Sequence, residues 1–193
     1  MSWLRKRWVL FRNPHAQIEF RGPVYLGPGF SLDVPFGGTF IAEPGAEFRR
    51  GFRAELAGPQ SRITIGHHTV FTYDVIIQCA TTIEVGANCA FGQASLVVDG
   101  NHRFRDDDRP MLEQGYDLRP LSIGDHVTVT TKCTIIADIG ERTFVGANSV
   151  VSRPIPGFCL AVGAPARPVE YFGPAGQEPP ELSPRSASAE TAG

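Results

Sequence analysis

The 193-residue sequence lacks the marks of several protein classes. It has no apolar run long enough to span a membrane, and its first residues are basic without the apolar stretch of a signal peptide. We therefore expect a cytoplasmic protein. The formal net charge is −2. A nucleic-acid-binding domain normally carries a basic surface, so we expect no nucleic-acid partner.

The sequence is also poor in cysteine. It has four cysteines, and no two of them stand in a C-x-x-C spacing. A disulfide framework and a cysteine zinc site are therefore not predicted, and a reducing compartment suits all four thiols. Two of them, Cys89 and Cys133, occupy small positions of the repeat described next, which indicates a packing role.

What the sequence does contain is a six-residue period of large apolar residues. They stand at Ile65, Phe71, Ile77, Val85, Phe91, Val97, Ile123, Val129 and Ile135. A glycine directly follows the large residue at Gly66, Gly86, Gly92, Gly124, Gly140 and Gly146. Four places after the large residue comes a small or β-branched one, at Thr69, Val75, Thr81, Cys89, Ser95, Val127, Cys133, Thr143 and Ser149. This pattern indicates a short strand and a tight turn in each unit. Its repetition predicts a solenoid in which each unit buries its apolar face against its neighbours.

The period divides the chain into segments. It is weak over 20–62, where its large residues are Val24, Phe30, Phe36, Phe40, Ala46 and Phe52. It is clean from Ile65 to Val97, interrupted over about 99–120 by a polar and charged stretch, and clear again from Ile123 to Val151. Three six-residue faces predict a coil of about 18 residues, with parallel sheets stacked along the axis. We expect a cap at 1–19, a repeat domain at 20–172 with a protruding loop, and a disordered tail at 173–193.

The first residues allow two interpretations. Trp3, Leu4 and Trp8 stand beside the basic run 5–7. Solenoids need caps at their ends, and we favour that role for this segment. The alternative is peripheral contact with an anionic membrane surface.

The repeat has the form [LIV]-G-x-x-[STAV]-x, and two further stretches sharpen its pattern. One is Val98-Asp-Gly-Asn-His-Arg-Phe, and the other is Ala161-Val-Gly-Ala-Pro-Ala-Arg-Pro-Val. Together, over roughly residues 60–172, they resemble the hexapeptide-repeat acyltransferases, in the branch of the maltose and galactoside O-acetyltransferases and the xenobiotic and polysaccharide acetyltransferases. This resemblance implies an all-β, left-handed parallel β-helix that forms a homotrimer. It also implies transfer of an acetyl or related acyl group from acetyl-coenzyme A to a hydroxyl of a sugar or glycan-like acceptor, at sites between subunits.

His102 is the predicted catalytic residue. Transfer from a thioester to an alcohol needs a base for the hydroxyl proton, and imidazole changes its protonation near neutral pH. The matching position in the resembled family carries the catalytic histidine. Asp99 and Glu113 are the nearest acidic residues that could orient the ring. Asn101 could position His102 or the acceptor, although turn formation beside Gly100 explains it nearly as well.

Other site residues come from the resemblance. On matching positions it implies donor contacts at Ala147, Ala164, Arg167 and Lys132, with Arg167 or Lys132 facing phosphate. The sequence departs from the family after the loop, where Thr128 and Thr130 replace an aromatic residue and a glycine. An acceptor-binding Asn is also missing one coil before His102, and Tyr73 and Asp74 are our candidates for that role.

Two other functions remain open. A scaffold without catalysis would have no need for a base in a protruding loop. The departures from the family pattern at Thr128 and Thr130 nevertheless leave this alternative open. A zinc enzyme resembling the γ-class carbonic anhydrases would combine His102 with histidines such as His67, His68 and His126. The spacing of these histidines does not match that family, and no metal is expected.

Overall fold

Three parallel β-sheets form the sides of a triangular prism that the chain winds around in successive coils. The structure is a computed structural model, and it describes residues 1–182. No helix within this range is both long enough and apolar enough to cross a membrane. Each coil passes along all three sides in turn, so the sheets are built from residues distant in sequence.

The strands are short, and their order alternates regularly between the three sides. The first sheet contains β1 (Gln17–Phe20), β4 (Thr39–Ala42), β7 (Arg62–Ile65), β10 (Thr82–Val85) and β15 (Leu121–Ile123). The second contains β2 (Tyr25–Leu26), β5 (Glu47–Phe48), β8 (Val70–Phe71), β11 (Ala90–Phe91), β16 (Thr128–Val129), β18 (Phe144–Val145), β20 (Cys159–Gly163) and β21 (Ala166–Tyr171). The third contains β3 (Ser31–Asp33), β6 (Arg53–Leu56), β9 (Ile76–Cys79), β12 (Leu96–Val98), β17 (Thr134–Ile135) and β19 (Val150–Val151). We call the turns from the first to the second sheet the first corner, from the second to the third the second corner, and from the third back to the first the third corner.

The core is a set of inward side chains stacked in register. In the second sheet, Phe48 pairs with Phe71 and Phe71 pairs with Phe91. Their rings are stacked, with centroids 5.3 and 4.7 Å apart. The sequence-predicted inward residues from Ile65 to Val151 lie in this core with at most 3% exposure, except Thr81, which is half-buried. Each coil therefore buries its apolar side only because the next coil covers it.

The corners explain the glycines and several unusual backbone angles. A Cβ at Gly66 would lie 2.5 Å from the carbonyl carbon of Gly86 in the next coil, so a side chain there would push the coils apart. Nine non-glycine residues within 1–182 adopt left-handed backbone angles: His68, Asp74, Asn88, Ala94, His126, Lys132, Arg142, Asn148 and Phe158. They turn the chain sharply enough to keep each coil above the last.

Two expectations about the repeat need correction. Coil length is not uniform: Phe71 pairs with Phe91, 20 residues later, whereas Val129 pairs with Val145, 16 residues later. Later coils are shorter because their first-sheet strands shrink to single bridges at Ile139 and Ile155. The weak period over 20–62 also placed Phe36 inward, and this was wrong, since Phe36 is 67% exposed at a corner.

Different elements close the two ends of the prism. Helix α1 (Ser2–Arg12) lies against β2 and buries Val9. At the other end β21 turns back antiparallel to β20. Residues 173–182 then form turns, and Leu182 packs partly buried against the core. The rest of the predicted disordered tail, 183–193, lies outside the described residues.

All four cysteines are free and buried, which confirms the packing role predicted for Cys89 and Cys133. Burial, with the nearby Asp99 carboxylate as a second cause, raises the pKa of the Cys79 thiol to about 12. Burial also raises the pKa of Cys89 and of Cys159. The folded protein therefore disfavours the reactive thiolate at these positions.

We predict that the native protein reacts negligibly with Ellman's reagent at mildly alkaline pH and that unfolding in guanidinium releases four thiols per chain. Folded Cys79 keeps its proton up to a pKa of about 12, whereas an unfolded thiol ionises near 8.5. The folded state therefore binds more protons between these values, and the free energy of unfolding should fall as the pH rises through this window. Rapid labelling of one thiol without unfolding would contradict the burial.

Candidate active site

A protruding arm, residues 99–120, leaves the prism at the third corner between β12 and β15. It consists of the antiparallel pair β13 (Gly100–His102) and β14 (Tyr116–Leu118), with a 3₁₀ helix at Met111–Glu113 near its tip. Gln114 organises the tip, because its amide nitrogen donates to the carbonyls of Asp106 and Arg109 at 2.8 and 2.9 Å. The arm thus has a defined backbone, although few of its side chains are buried.

Asp99 anchors the base of the arm to the preceding coil. Its carboxylate is 2% exposed. It accepts hydrogen bonds from the backbone N–H of Ala80 at 2.8 Å and of Thr81 at 2.6 Å, and from the Thr81 hydroxyl at 2.7 Å. The Cys79 thiol lies 3.6 Å away. The carboxylate is therefore occupied by the third corner and does not hold the ring of His102.

His102 lies at the end of β13 with an exposed side chain. Its ring stands beside that of Tyr116, its cross-strand partner, with centroids 4.4 Å apart. No side chain or backbone group within residues 1–182 forms a hydrogen bond with the imidazole. Tyr116 therefore restricts the ring by contact while both ring nitrogens stay accessible.

Two clefts flank the arm, and both are lined by Asn101 and His102. The N-side cleft, about 620 Å³, lies over the outer face of the third sheet and includes Glu55, Gln78 and Tyr116. The C-side cleft, about 600 Å³, faces the later coils and is rich in charge. Its other lining residues include Arg103, Asp106, Arg109, Asp117, Arg119 and Ile136. Two molecules approaching from opposite sides of the arm could therefore meet at one imidazole.

The other predicted supporting residues differ in position. Asn101 lines both clefts beside His102 and is exposed. Glu113 lies in the 3₁₀ helix near the tip, is exposed and lines neither cleft. Within one chain the structure therefore brings Asn101, but not Glu113, to the predicted base.

The residues predicted for donor and acceptor lie on a different corner from His102. Backbone hydrogen bonds stack the turns at Tyr73, Gln93, Thr131 and Asn148 into one column along the second corner. Tyr73, Asp74, Lys132 and Ala147 are in these turns. Ala164 and Arg167 are exposed near the turn between β20 and β21, where the Gly163 N–H donates to the Ser149 hydroxyl at 3.1 Å. Within one chain these residues form a group of their own, apart from the arm.

The three other histidines of the zinc alternative are on the first corner. His67, His68 and His126 lie in its stacked turns, linked by the hydrogen bonds from Asn88 to His67 and from His126 to Ala87. A single chain therefore does not bring them to His102, as the zinc alternative would need. Among the described residues the acidic run 106–108 is the sole group close enough to share a metal ion, and it contains no histidine.

Sequence reasoning missed three residues that shape the arm. Tyr116 contacts His102, Gln114 orders the tip, and Arg119 donates to the carbonyl of Ile136 at 2.8 Å. Pairing of the two arm strands could have indicated Tyr116, but the charged loop shows no strand period. Gln114 and Arg119 carry no sequence signal, because their partners are backbone carbonyls that any residue supplies.

Comparisons with known proteins agree with this architecture. No protein-family model matches the chain. A probable acetyltransferase of Mycobacterium tuberculosis, Rv3034c, is 28% identical over 174 residues, which are 87% of this chain and 57% of that protein. The chain thus spans little more than half the length of this relative.

Solved structures give the clearest likeness. The hexapeptide-repeat acetyltransferase VCA0836 of Vibrio cholerae, in complex with acetyl-coenzyme A, aligns over 89% of this chain and 79% of its own with a TM-score of 0.62 at 21% identity. A galactoside acetyltransferase in complex with coenzyme A aligns over 89% and 72% with a TM-score of 0.61 at 19% identity. The resemblance to the hexapeptide-repeat acyltransferases is confirmed. So is the expected left-handed parallel β-helix with its arm at about 99–120.

The structure explains how this chain accommodates one departure from the pattern of the family that it resembles. Thr130, which replaces a glycine, donates its hydroxyl to the carbonyl of Val145 at 2.7 Å. Thr72 makes the same contact with Phe91 at 2.9 Å two coils earlier. The threonine hydroxyl thus adds a hydrogen bond between coils at the start of the second corner, so the departure is compatible with the fold.

We predict that Asp99→Ala lowers the free energy of unfolding by about 2–5 kcal/mol, because two buried N–H groups lose a charged acceptor. Urea denaturation would measure this loss. Trypsin should also cut the arm faster, after Arg103 or Arg105. Asp138→Ala is a matched control on the same corner, since that exposed carboxylate accepts one backbone bond, from Ser122 at 2.8 Å. Equal urea midpoints for the two variants would contradict an anchoring role.

Proposed function

We propose that this protein transfers an acetyl or related acyl group from acetyl-coenzyme A to a hydroxyl of a sugar or glycan-like acceptor. The observation that carries the proposal is the position of His102, which is exposed on an anchored arm where two clefts meet. The acetyl-coenzyme A and coenzyme A complexes of VCA0836 and the galactoside acetyltransferase support the choice of donor. The homotrimer and the cytoplasmic location expected from the sequence remain predictions.

In the proposed reaction His102 acts as general base. One ring nitrogen takes the proton of the acceptor hydroxyl as its oxygen attacks the thioester carbonyl. The tetrahedral intermediate then collapses, the C–S bond breaks, and the imidazolium returns its proton to the coenzyme A thiolate. An exposed ring that lines both clefts suits this sequence, because the two substrates can approach from different clefts.

Tyr116 and Asn101 are the groups that we propose to orient the reaction. Tyr116 limits rotation of the His102 ring through its contact at 4.4 Å. Asn101 lines both clefts and offers an amide that can bind the acceptor or the carbonyl oxygen. Asp99 contributes by holding the arm in place, since its oxygens are already occupied at the third corner.

We further propose that each complete site forms between two copies of the chain. Within one chain the predicted donor residues Lys132, Ala147 and Arg167 belong to the second-corner group, apart from His102 on the third corner. A neighbouring copy that presents its second corner to the arm would bring both sets together. The positive charges of Lys132 and Arg167 would then be available to the phosphates of coenzyme A.

We predict that His102→Ala lowers the turnover number by about 10²–10⁴-fold, the range expected for loss of a general base. The measurement is release of coenzyme A from acetyl-coenzyme A, followed with a thiol reagent over a panel of sugars, amino sugars and small alcohols. The buried cysteines of the protein keep the background of this assay low.

His67→Ala is the matched control, because it removes an exposed histidine from the first corner. It should keep wild-type turnover. Full activity of His102→Ala would rule out the proposed base, and loss of activity in both variants would favour the zinc alternative. Acceptors that respond through an amine rather than a hydroxyl would correct the proposed O-transfer.

We predict that two inactive variants complement each other if the site lies between copies. His102→Ala and the double variant Lys132→Glu/Arg167→Glu should each lose coenzyme A release. Co-expression under separate tags, followed by purification through both tags, should restore part of the activity, because some interfaces then combine an intact arm with an intact second corner. A mixed oligomer with no activity above its parents would place the site within one chain.

A further inference from the structure

Helix α1 is fixed to the prism by one narrow side. Val9 is 7% exposed and is the buried residue of the helix. The Ser2 hydroxyl accepts a hydrogen bond from the backbone N–H of Leu26 at 2.9 Å, and the Arg5 guanidinium donates to the Leu26 carbonyl at 2.9 Å. These contacts with the end of β2 set the rotation of the helix about its axis.

The opposite side of the helix is uncovered and carries four large apolar side chains around Arg7. At 100° per residue, Arg7 and Phe11 each lie about 20° from the direction opposite Val9 and Leu4 about 40° from it, with Trp3 and Trp8 on either side of them. The exposed fractions are 60% for Leu4, 78% for Phe11, 62% for Trp3 and 59% for Trp8. An amphipathic helix that only capped the core would bury these large residues, so this orientation indicates an external surface that they contact.

The charge of this segment has one sign. Arg5, Lys6, Arg7 and Arg12 are its cations, and no Asp or Glu occurs before Glu19. The chain as a whole carries 20 acidic and 18 basic residues. Arg7 lies over the ring of Trp3 at 5.0 Å, and Arg12 lies over that of Trp8 at 5.7 Å. One cation, Arg7, therefore lies within the face that presents the aromatic rings, and another, Arg12, lies at its edge.

We propose that α1 docks this face onto an anionic phospholipid bilayer. Aromatic and leucine side chains enter the boundary between headgroups and acyl chains, while arginine and lysine heads stay with the lipid phosphates. Helix packing against the same helix of a second copy is disfavoured, because it would bring the cations of both helices together without an acidic partner on either. This inference does not depend on the proposed catalytic function.

The two tryptophans of the chain, Trp3 and Trp8, both lie on this helix, so intrinsic tryptophan emission reports on the proposed contact alone. Titration with mixed phosphatidylserine–phosphatidylcholine vesicles should shift the emission to the blue, and the protein should sediment with the vesicles. Pure phosphatidylcholine vesicles should bind much more weakly, and added salt should reduce binding to the anionic ones. Absence of a shift and of sedimentation with anionic vesicles would overturn the proposal.

Two pairs of variants separate the apolar and charged contributions. Leu4→Ala/Phe11→Ala keeps both tryptophans and should weaken vesicle binding about tenfold or more, because it removes the most outward apolar groups. Its control is Phe36→Ala/Phe172→Ala, which removes exposed rings elsewhere. Arg7→Ser/Arg12→Ser should weaken binding roughly 10- to 30-fold, whereas Arg142→Ser/Arg153→Ser, with the same charge change on exposed corners, should not.

Circular dichroism would establish that each variant is folded. An equal effect of a variant and its control would contradict docking through α1. Light scattering supplies a further check in the absence of lipid. If Leu4→Ala/Phe11→Ala lowered the mass of the assembly, the face would be a contact between copies of the chain, and the proposal would be wrong.

Discussion

The structure depends on the backbone hydrogen bonds that join each coil to the next. The Val70 N–H donates to Cys89, the Ala90 N–H to Val127, and the Thr128 N–H to Thr143, at 2.9 Å in each case. These bonds can repeat only if every circuit of the prism returns the chain to the same lateral position. The corners impose this return through glycine and left-handed residues. A stack so constrained tolerates an insertion of any length, provided that it leaves and re-enters at one corner. The arm does so, because β15 pairs directly with β10 although the arm lies between them in the sequence.

Much of the fold could be predicted from the sequence because each repeat is local. A strand and its turn fit within six residues, so the inward residues from Ile65 onward follow a fixed spacing and agree with the observed core. The earlier coils have longer and less regular corners, which explains the wrong placement of Phe36. Coil length could not be predicted for a similar reason. The first-sheet strands are lost around Ile139 and Ile155 because few residues of those coils run along the first side of the prism. The spacing of the large residues does not indicate how many residues each side receives.

The candidate site was predictable in part. His102 follows from its position in a polar interruption of the repeat and from the resemblance of the surrounding residues. The role of Asp99 does not follow from the sequence, since an aspartate three residues before a histidine suggests a partner for the histidine ring. Its actual partners are Ala80 and Thr81, which lie in the coil below and carry no sequence mark. The motifs that suggest the donor residues likewise do not indicate on which corner of the prism these residues lie. The separation between Lys132 and His102 becomes apparent only once the coils are stacked.

The inward position of the second sheet narrows along the prism, from Phe48, Phe71 and Phe91 to Val129, Val145 and Ala161. The later coils therefore remove less apolar surface from water at this position than the earlier ones do. Thermal opening of such a stack starts where burial is least. The antiparallel β21 and Leu182 cover that narrow end. The arm is anchored through Asp99 on the wide side, so partial fraying of the final coils would leave the base of the arm intact. The taper thus gives the molecule a direction of unravelling that reaches the final coils before the arm with His102.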